Sequence, residues 1–345
     1  MSDNQNPVFV TGGTGLLGSH LLFALVKNGE KPRAVYRSEV KKDLVRKIFS
    51  CYYNKPDEFY KSVIWIKADI ENIESLKNAM NGASRVYHCA AEVSFDPSDR
   101  DKIIKNNMRL TENIVQACIE LEVSKLCHVS SVAAIGSNKE GAPISEDQEW
   151  DDTVPHSSYA VSKHLSEDIV WEGIKRGLNA VIVNPSVIFG PGDWDHGSSA
   201  FFSKIFKGML FYTKGVTGYV DVRDVADSMV KLMHSQVSGK RFIISSENLS
   251  FYEIFSTIAE NIGARKPLIF APRIFAQPAM GIIKTIAALS GRKSAVTSEN
   301  LSSAWSTQVF DNSRIIRETG IGFIPVRRSI EDTCRLYLKE KGLNQ

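Results

Sequence analysis

The chain has 345 residues, of which 43% are hydrophobic and 23% charged, a balance that excludes disordered, collagen-like and coiled-coil classes. Forty-two Lys and Arg against 39 Asp and Glu leave a formal charge of +3, too weak and dispersed to suggest a nucleic-acid partner. The length supplies ample core for one large domain or two modest ones.

Strand and helix signals alternate through the first half. Strands are predicted at 7–10, 33–36, 63–68, 85–90, 126–130 and 180–184; helices at 16–27, 39–51, 73–81, 107–121 and 159–176. This alternation predicts βαβ units and an α/β, Rossmann-type doubly wound parallel sheet with helices on both faces. After Pro185 the pattern changes. Residues 187–212 read as loop plus helix, 219–222 and 241–245 as strands around a helix at 225–234, and the chain from 251 as mainly helical. The expected organisation is a Rossmann domain over 1–186, completed by about 216–248, and a smaller, mainly helical substrate lobe from 187–215 and 249–345.

The uncharged runs 4–26 and 178–192 are interrupted by Gly, Pro, Asn, Ser or Thr and do not read as membrane spans. The apolar stretch 274–288 has a charge-free core of about ten residues, against roughly 20 for a span. It reads as a helix over a greasy pocket, with interfacial membrane contact as the alternative. The N-terminus lacks the pattern of a secretory signal. Five cysteines, odd in number and without C-x-x-C, suit reduced thiols in a cytoplasmic protein.

The first strand runs into Thr11-Gly12-Gly13-Thr14-Gly15-Leu16-Leu17-Gly18 and then directly into a helix. Gly12 and Gly15 allow a tight turn and close approach to a pyrophosphate, and Gly18 lets the helix pack on the strand. The helix N-terminus offers free N–H groups to the anion. Strand, turn and helix in this order make the pattern a dinucleotide site rather than a structural turn. At the end of the second strand, an Asp or Glu would bond the ribose of NAD; here stand Arg37, Ser38 and then Lys41-Lys42. A guanidinium grips phosphate bidentately, so NADP(H) is favoured over NAD(H), the other reading being a solvated arginine with NAD bound.

Tyr159 and Lys163 open a helix on one face, a turn apart. A free phenol titrates near ~10, and a nearby ammonium is expected to lower that value and create a usable proton donor. Ser130-Ser131 closes a strand, where a hydroxyl reaches the cleft at the carboxyl edge of the sheet.

These motifs, with Asn184-Pro185-Ser186 and Gly190-Pro191-Gly192, resemble the extended short-chain dehydrogenase/reductase family over nearly the whole chain. This is the NAD-dependent epimerase/dehydratase superfamily, and the resemblance is strongest to its dihydroflavonol reductase and 3β-hydroxysteroid dehydrogenase branch. It implies Tyr159 as general acid in reduction and Lys163 as the holder of the nicotinamide ribose. Ser131, five residues before Gly136, would orient the carbonyl and stabilise its oxyanion, with Ser130 as second candidate. Asn107 would support the lysine through water. Asp69-Ile70 resembles the adenine-contacting pair, and Cys89-Ala90-Ala91 the small-residue turn beside the cofactor, with Cys89 structural. Pro185 and Val187 complete the implied cofactor contacts. The resemblance also implies a homodimer through two helices packed as a bundle, although monomers are known in this class.

Departures narrow the reaction. The family's dehydratases carry an acidic pair after the serine or threonine, whereas Val132-Ala133-Ala134 follow Ser131. Its sugar-nucleotide enzymes tend to place an Arg where Thr217 stands, and the change removes a charge-assisted contact to diphosphate. Arg223 is expected to pair with Asp224 or Asp227. The segments expected around the pocket carry Phe95, Phe189, Trp194, Phe201, Phe202, Phe206, Tyr212, Phe275 and Met280. Together these suit an apolar or aromatic ketone, although for most of them singly lobe core is the stronger reading. His156 and His196 sit in pocket loops, and no motif suggests a metal. The resulting reading is an NADP(H)-dependent oxidoreductase of a ketone or aldehyde, or of the alcohol. A sugar epimerase and a non-catalytic dinucleotide-sensing protein are the alternatives.

Overall fold

The computed structural model describes residues 7–93, 99–138, 142–275 and 304–343. Most of the apolar stretch 274–288, together with Phe95 and Met280, lies outside the described residues. Seven parallel strands form the main sheet: β1 (Val8–Thr11), β2 (Arg33–Tyr36), β3 (Ile64–Lys67), β4 (Arg85–His88), β5 (Lys125–Val129), β6 (Ala180–Pro185) and a last strand, Lys240–Ile244. Their order across the sheet is β3-β2-β1-β4-β5-β6 and then Lys240–Ile244. Every residue of β1, β5 and β6 is buried, as expected of parallel strands covered on both faces.

Helix α1 (Leu16–Lys27) packs Leu21 and Leu25 onto one face. Between β2 and β3 run α2 (Val40–Tyr52) and α3 (Pro56–Lys61), and between β3 and β4 runs α4 (Ile73–Met80). Helices α5 (Arg100–Glu120) and α6 (Ser158–Lys175) cover the opposite face through Ile114 and Val170. The sheet order reverses between β1 and β4, which opens a crevice at the carboxyl ends of the strands.

The structure departs from the sequence reading in three places. Helix α5 begins at Arg100 rather than 107, because its first two turns are mostly polar and bury only Ile103, leaving little apolar period to read. Helix α3 buries nothing and was invisible to periodicity. The predicted strand at 219–222 is β9 (Val216–Asp221), in a second sheet between β7 (Val187–Phe189) and Glu247–Ser250. Those two partners are short and half-buried, so alternation did not mark them.

Between β7 and β9 lie α7 (Ala200–Phe206) and β8 (Phe211–Tyr212). After β9 come α8 (Val222–His234), β10 (Lys240–Ile244), β11 (Glu247–Ser250), α9 (Phe251–Asn261), β12 (Ile269–Phe270), α10 (Ser313–Thr319) and α11 (Val326–Glu340). Phe189, Trp194 and Phe202 are buried in a cluster with Tyr219, Phe255 and Tyr337, and Phe201 and Tyr212 pack against it. Phe189, Trp194 and Phe202 therefore act as core. Among the described residues, no helix is long and apolar enough to cross a membrane.

Candidate active site

The glycine turn forms where β1 ends and α1 begins. Gly12 takes φ +70°, and a Cβ there would lie 2.6 Å from the backbone of Cys89 and Ala90. A Cβ on Gly18 would stand 2.1 Å from the Gly12 carbonyl oxygen, so neither position accepts a side chain. Helix α1 opens on Gly15, with no side-chain cap and no acidic residue in its first turn. Its N–H groups and dipole are left for an anion, and the turn fits the pyrophosphate of a dinucleotide. Thr11 ties the turn to β4. Its Oγ1 lies 2.7 Å from His88 Nδ1 and accepts from the Ala90 N–H at 3.3 Å, while its carbonyl accepts from the Cys89 N–H at 3.2 Å. Burial pushes the Cys89 thiol up to about 12, which removes it as a nucleophile at neutral pH.

Tyr159 and Lys163 lie in the first turns of α6, which Ser157 caps by accepting from the Ala160 N–H at 3.0 Å. Ser131 follows β5 and caps a short 3-10 turn, Val132–Ala134. Its hydroxyl stands near the Tyr159 phenol and favours the phenol's charged form. Ser130 is buried, and its hydroxyl has no partner. Lys163 is buried, and its Nζ donates to the Val129 carbonyl at 2.9 Å. Burial pulls its pKa down to about 8, with Cys89 and Glu167 opposing. The same ammonium helps hold down His88 and His128. Burial also pushes the Tyr159 phenol above its ordinary value, against the Ser131 hydroxyl. Burial is the largest influence on both groups.

Asn107 grips Glu92 from both sides. Its Oδ1 accepts from the Glu92 N–H at 2.7 Å, and its Nδ2 donates to the Glu92 carbonyl at 2.9 Å and to Ser162 Oγ at 2.7 Å. Its direct contact is with Ser162, the residue next to Lys163. The sequence reading missed the support behind Ser131. Asn184, fully buried, donates to the Ser131 carbonyl at 3.0 Å and to the Glu167 carboxylate. Arg241 donates to Glu167 at 3.2 Å and to the carbonyls of Glu146 and Gln148 at 2.8 and 3.0 Å. Glu167 had a readable signal, since it stands four residues past Lys163 on the same helical face. Arg241 had none.

At the end of β2 the Arg37 side chain is 64% exposed, 3.8 Å from Glu71, whose carboxylate Arg109 also holds. Lys41 is exposed, but Lys42 is drawn to Glu39 at 2.8 Å and over the Tyr36 ring at 4.3 Å. Asp69 accepts from the Glu71 N–H at 3.0 Å, and Ile70 is buried beside it. Pro185 closes β6 and Val187 opens β7. His156 bonds the Asp151 carbonyl and stacks on Trp150 at 3.7 Å, and His196 pairs with Asp193 at 2.9 Å. Arg223 pairs with Asp221 at 2.7 Å and Asp332 at 3.0 Å rather than with Asp224 or Asp227, because Asp221 caps α8 immediately beside it.

The model of the NAD dependent epimerase/dehydratase family matches residues 8–245. The chain belongs to this family. Its members include NAD(P)-dependent reductases, dehydrogenases and epimerases. Among its relatives is the sterol demethylase protein B of Methylococcus capsulatus, 30% identical over 76% of each chain. A putative dihydroflavonol 4-reductase of Synechocystis is 25% identical over 95% of this chain and 94% of its own. A 3 beta-hydroxysteroid dehydrogenase/Delta 5-->4-isomerase of Monkeypox virus is 29% identical over 53% of each. Of solved structures, gox2253 superposes with a TM-score of 0.81 at 23% identity, over 99% of this chain and 100% of its own, which establishes the family fold.

Proposed function

We propose that this family member is an NADP(H)-dependent oxidoreductase that reduces a ketone or aldehyde, or oxidises the alcohol. The observation that carries the reading is the pairing of Tyr159 with buried Lys163 one turn apart on α6, with Ser131 near the phenol, in a chain whose glycine turn admits a dinucleotide. A bound nicotinamide supplies or accepts the hydride at the carbonyl carbon. In reduction, the Tyr159 phenol gives its proton to the carbonyl oxygen, and its raised pKa keeps that proton in place at neutral pH. The Ser131 hydroxyl donates to the same oxygen and stabilises its developing charge. Lys163 stays charged below about pH 8 and holds the nicotinamide ribose, with Asn107 bracing Ser162 next to it. Thr11 to Gly18 receive the pyrophosphate, Asp69 and Ile70 the adenine. Cys89 to Ala91, Pro185 and Val187 flank the nicotinamide.

In this reading, residues 1–186 with 216–248 carry the dinucleotide, and 187–215 with 249–345 cover the substrate. Arg37 supports NADP(H), because its guanidinium is exposed and only loosely paired, while Glu71 is engaged by Arg109. The substrate class rests on relatives whose names are those of dihydroflavonol, sterol and steroid enzymes.

The test has two arms. NADPH should raise the thermal unfolding midpoint more than NADH, and Arg37→Ala should erase the difference; equal effects that survive the substitution refute the NADP assignment. With a panel of apolar ketones, the reduced-nicotinamide absorbance should fall in proportion to product. Turnover of a sugar nucleotide with no net absorbance change would replace the reductase by an epimerase.

A further inference from the structure

Two segments distant in sequence share an unusual composition. Residues 204–214 and 264–274 carry Lys204, Lys207, Lys214, Arg265, Lys266 and Arg273 and no Asp or Glu, in a chain whose charges otherwise nearly balance. All six cations are exposed. Lys214 Nζ sits 5.0 Å over the Phe270 ring, and Lys266 pairs with Glu260 at the margin.

The structure joins the segments. Strand β8 pairs in parallel with β12, with Phe211 opposite Ile269 and Tyr212 opposite Phe270. The Leu210 carbonyl accepts from the N–H groups of Leu268 and Ile269 at 3.1 and 3.0 Å, and the Ala271 N–H donates to the Tyr212 carbonyl at 2.9 Å. The pairing gathers Leu210, Phe211, Leu268 and Ile269, exposed by 55, 57, 77 and 47%, with Ile274 at 78% just beyond. A single exposed leucine needs no explanation, but a cluster of large apolar side chains rimmed by one sign of charge marks an interaction surface.

The combination selects the partner. Exposed Leu and Ile gain nothing from the polar backbone of a nucleic acid. A second copy of the same face would set cation against cation, with Glu260 at the margin already held by Lys266. An anionic phospholipid surface accommodates both features: the acyl boundary accepts Leu, Ile and Phe while the headgroups meet Lys and Arg. No described helix spans a bilayer, so the contact is one of surface attachment. We propose that the β8/β12 face docks this protein on anionic phospholipid membranes. The proposal stands independently of the reaction assigned above.

The test is co-sedimentation of the full chain with vesicles of phosphatidylcholine alone and of phosphatidylcholine mixed with phosphatidylserine. Binding is expected to the mixed vesicles only, and to weaken as added salt shortens the screening length. Arg265→Glu and Lys207→Glu should each lower the partition by about fivefold or more, because each removes one cation and adds an anion. Leu268→Asp should lower it by about tenfold or more by removing an inserted side chain. Unfolding midpoints of all three should stay at the wild-type value, since each position is exposed. Protein left in the supernatant with both vesicle types, or variants that bind as well as wild type, overturns the proposal. So does self-association in sedimentation velocity that Leu268→Asp abolishes, because it assigns the face to a second copy.

Discussion

The two walls of the crevice are built from different material. The wall at the end of β1 is backbone, shaped by atoms that are missing: Gly12 and Gly18 lie against carbonyls and peptide planes that leave no room for a Cβ. The wall at α6 is side chain, with Tyr159, Lys163, Glu167, Asn184 and Arg241 engaging partners drawn from α6, β5, β6 and β10. One wall should therefore fail by the addition of an atom and the other by deletion.

The largest effect is expected on the side-chain wall. Tyr159→Phe removes only a hydroxyl and should lower turnover by about 10²–10⁴-fold, while NADPH still raises the unfolding midpoint. Retained turnover would move the chemistry off α6. Glu167→Ala leaves Arg241 and Asn184 facing each other without the carboxylate between them. It should cost about 3–5 kcal/mol in urea unfolding, whereas Glu167→Gln, which keeps an acceptor for each, should cost clearly less. Equal losses for the two variants would show that shape rather than charge holds this wall.

On the backbone wall, Gly18→Ala should cost about 1–3 kcal/mol and abolish the thermal response to dinucleotide, because the added methyl meets the Gly12 carbonyl at 2.1 Å. A variant that still responds would mean that the turn can open to accept a side chain.

The smallest effect lies beneath both walls. His128 is buried with its ring 5.3 Å from that of His88, and neither of its ring nitrogens has a hydrogen-bond partner. Burial, with His88 and Lys163 adding to it, holds its pKa well below the usual value. The unfolded chain takes up this proton near pH ~6.5 and the folded chain does not, so wild type loses stability as pH falls below that point and none above it. His128→Leu should abolish this component. Its stability relative to wild type should grow by up to about 1.4 kcal/mol per pH unit below ~6.5, read from unfolding midpoints across acid pH. Parallel pH curves for the two proteins would count against a neutral, buried histidine here.

The walls also differed in how far the sequence foretold them. Thr11 to Gly18 announced a strand, a turn and a helix in consecutive residues, and the structure has all three. Tyr159 and Lys163 were legible as one turn of a helix, and Ser131 as the end of a strand. How deeply α6 buries the phenol is not legible in the four-residue spacing. For the aromatics between 187 and 212 the sequence left core and pocket lining both open. A phenylalanine in a loop shows its chemistry in the sequence but not its depth, and Phe189 and Phe202 are fully buried in the structure.

Alone, the sequence determined the alternating sheet and helix order, the glycine turn, the Tyr–Lys pair and the cationic end of β2. All are set by contacts within a few residues, where backbone sterics and helical period act. Only the tertiary structure decided that Arg241 stands behind Ser131, that burial raises the Tyr159 phenol, and that two acid-free segments meet at β8 and β12. Burial and charge act through space, and residues 204–214 and 264–274 become neighbours only after the chain between them has folded.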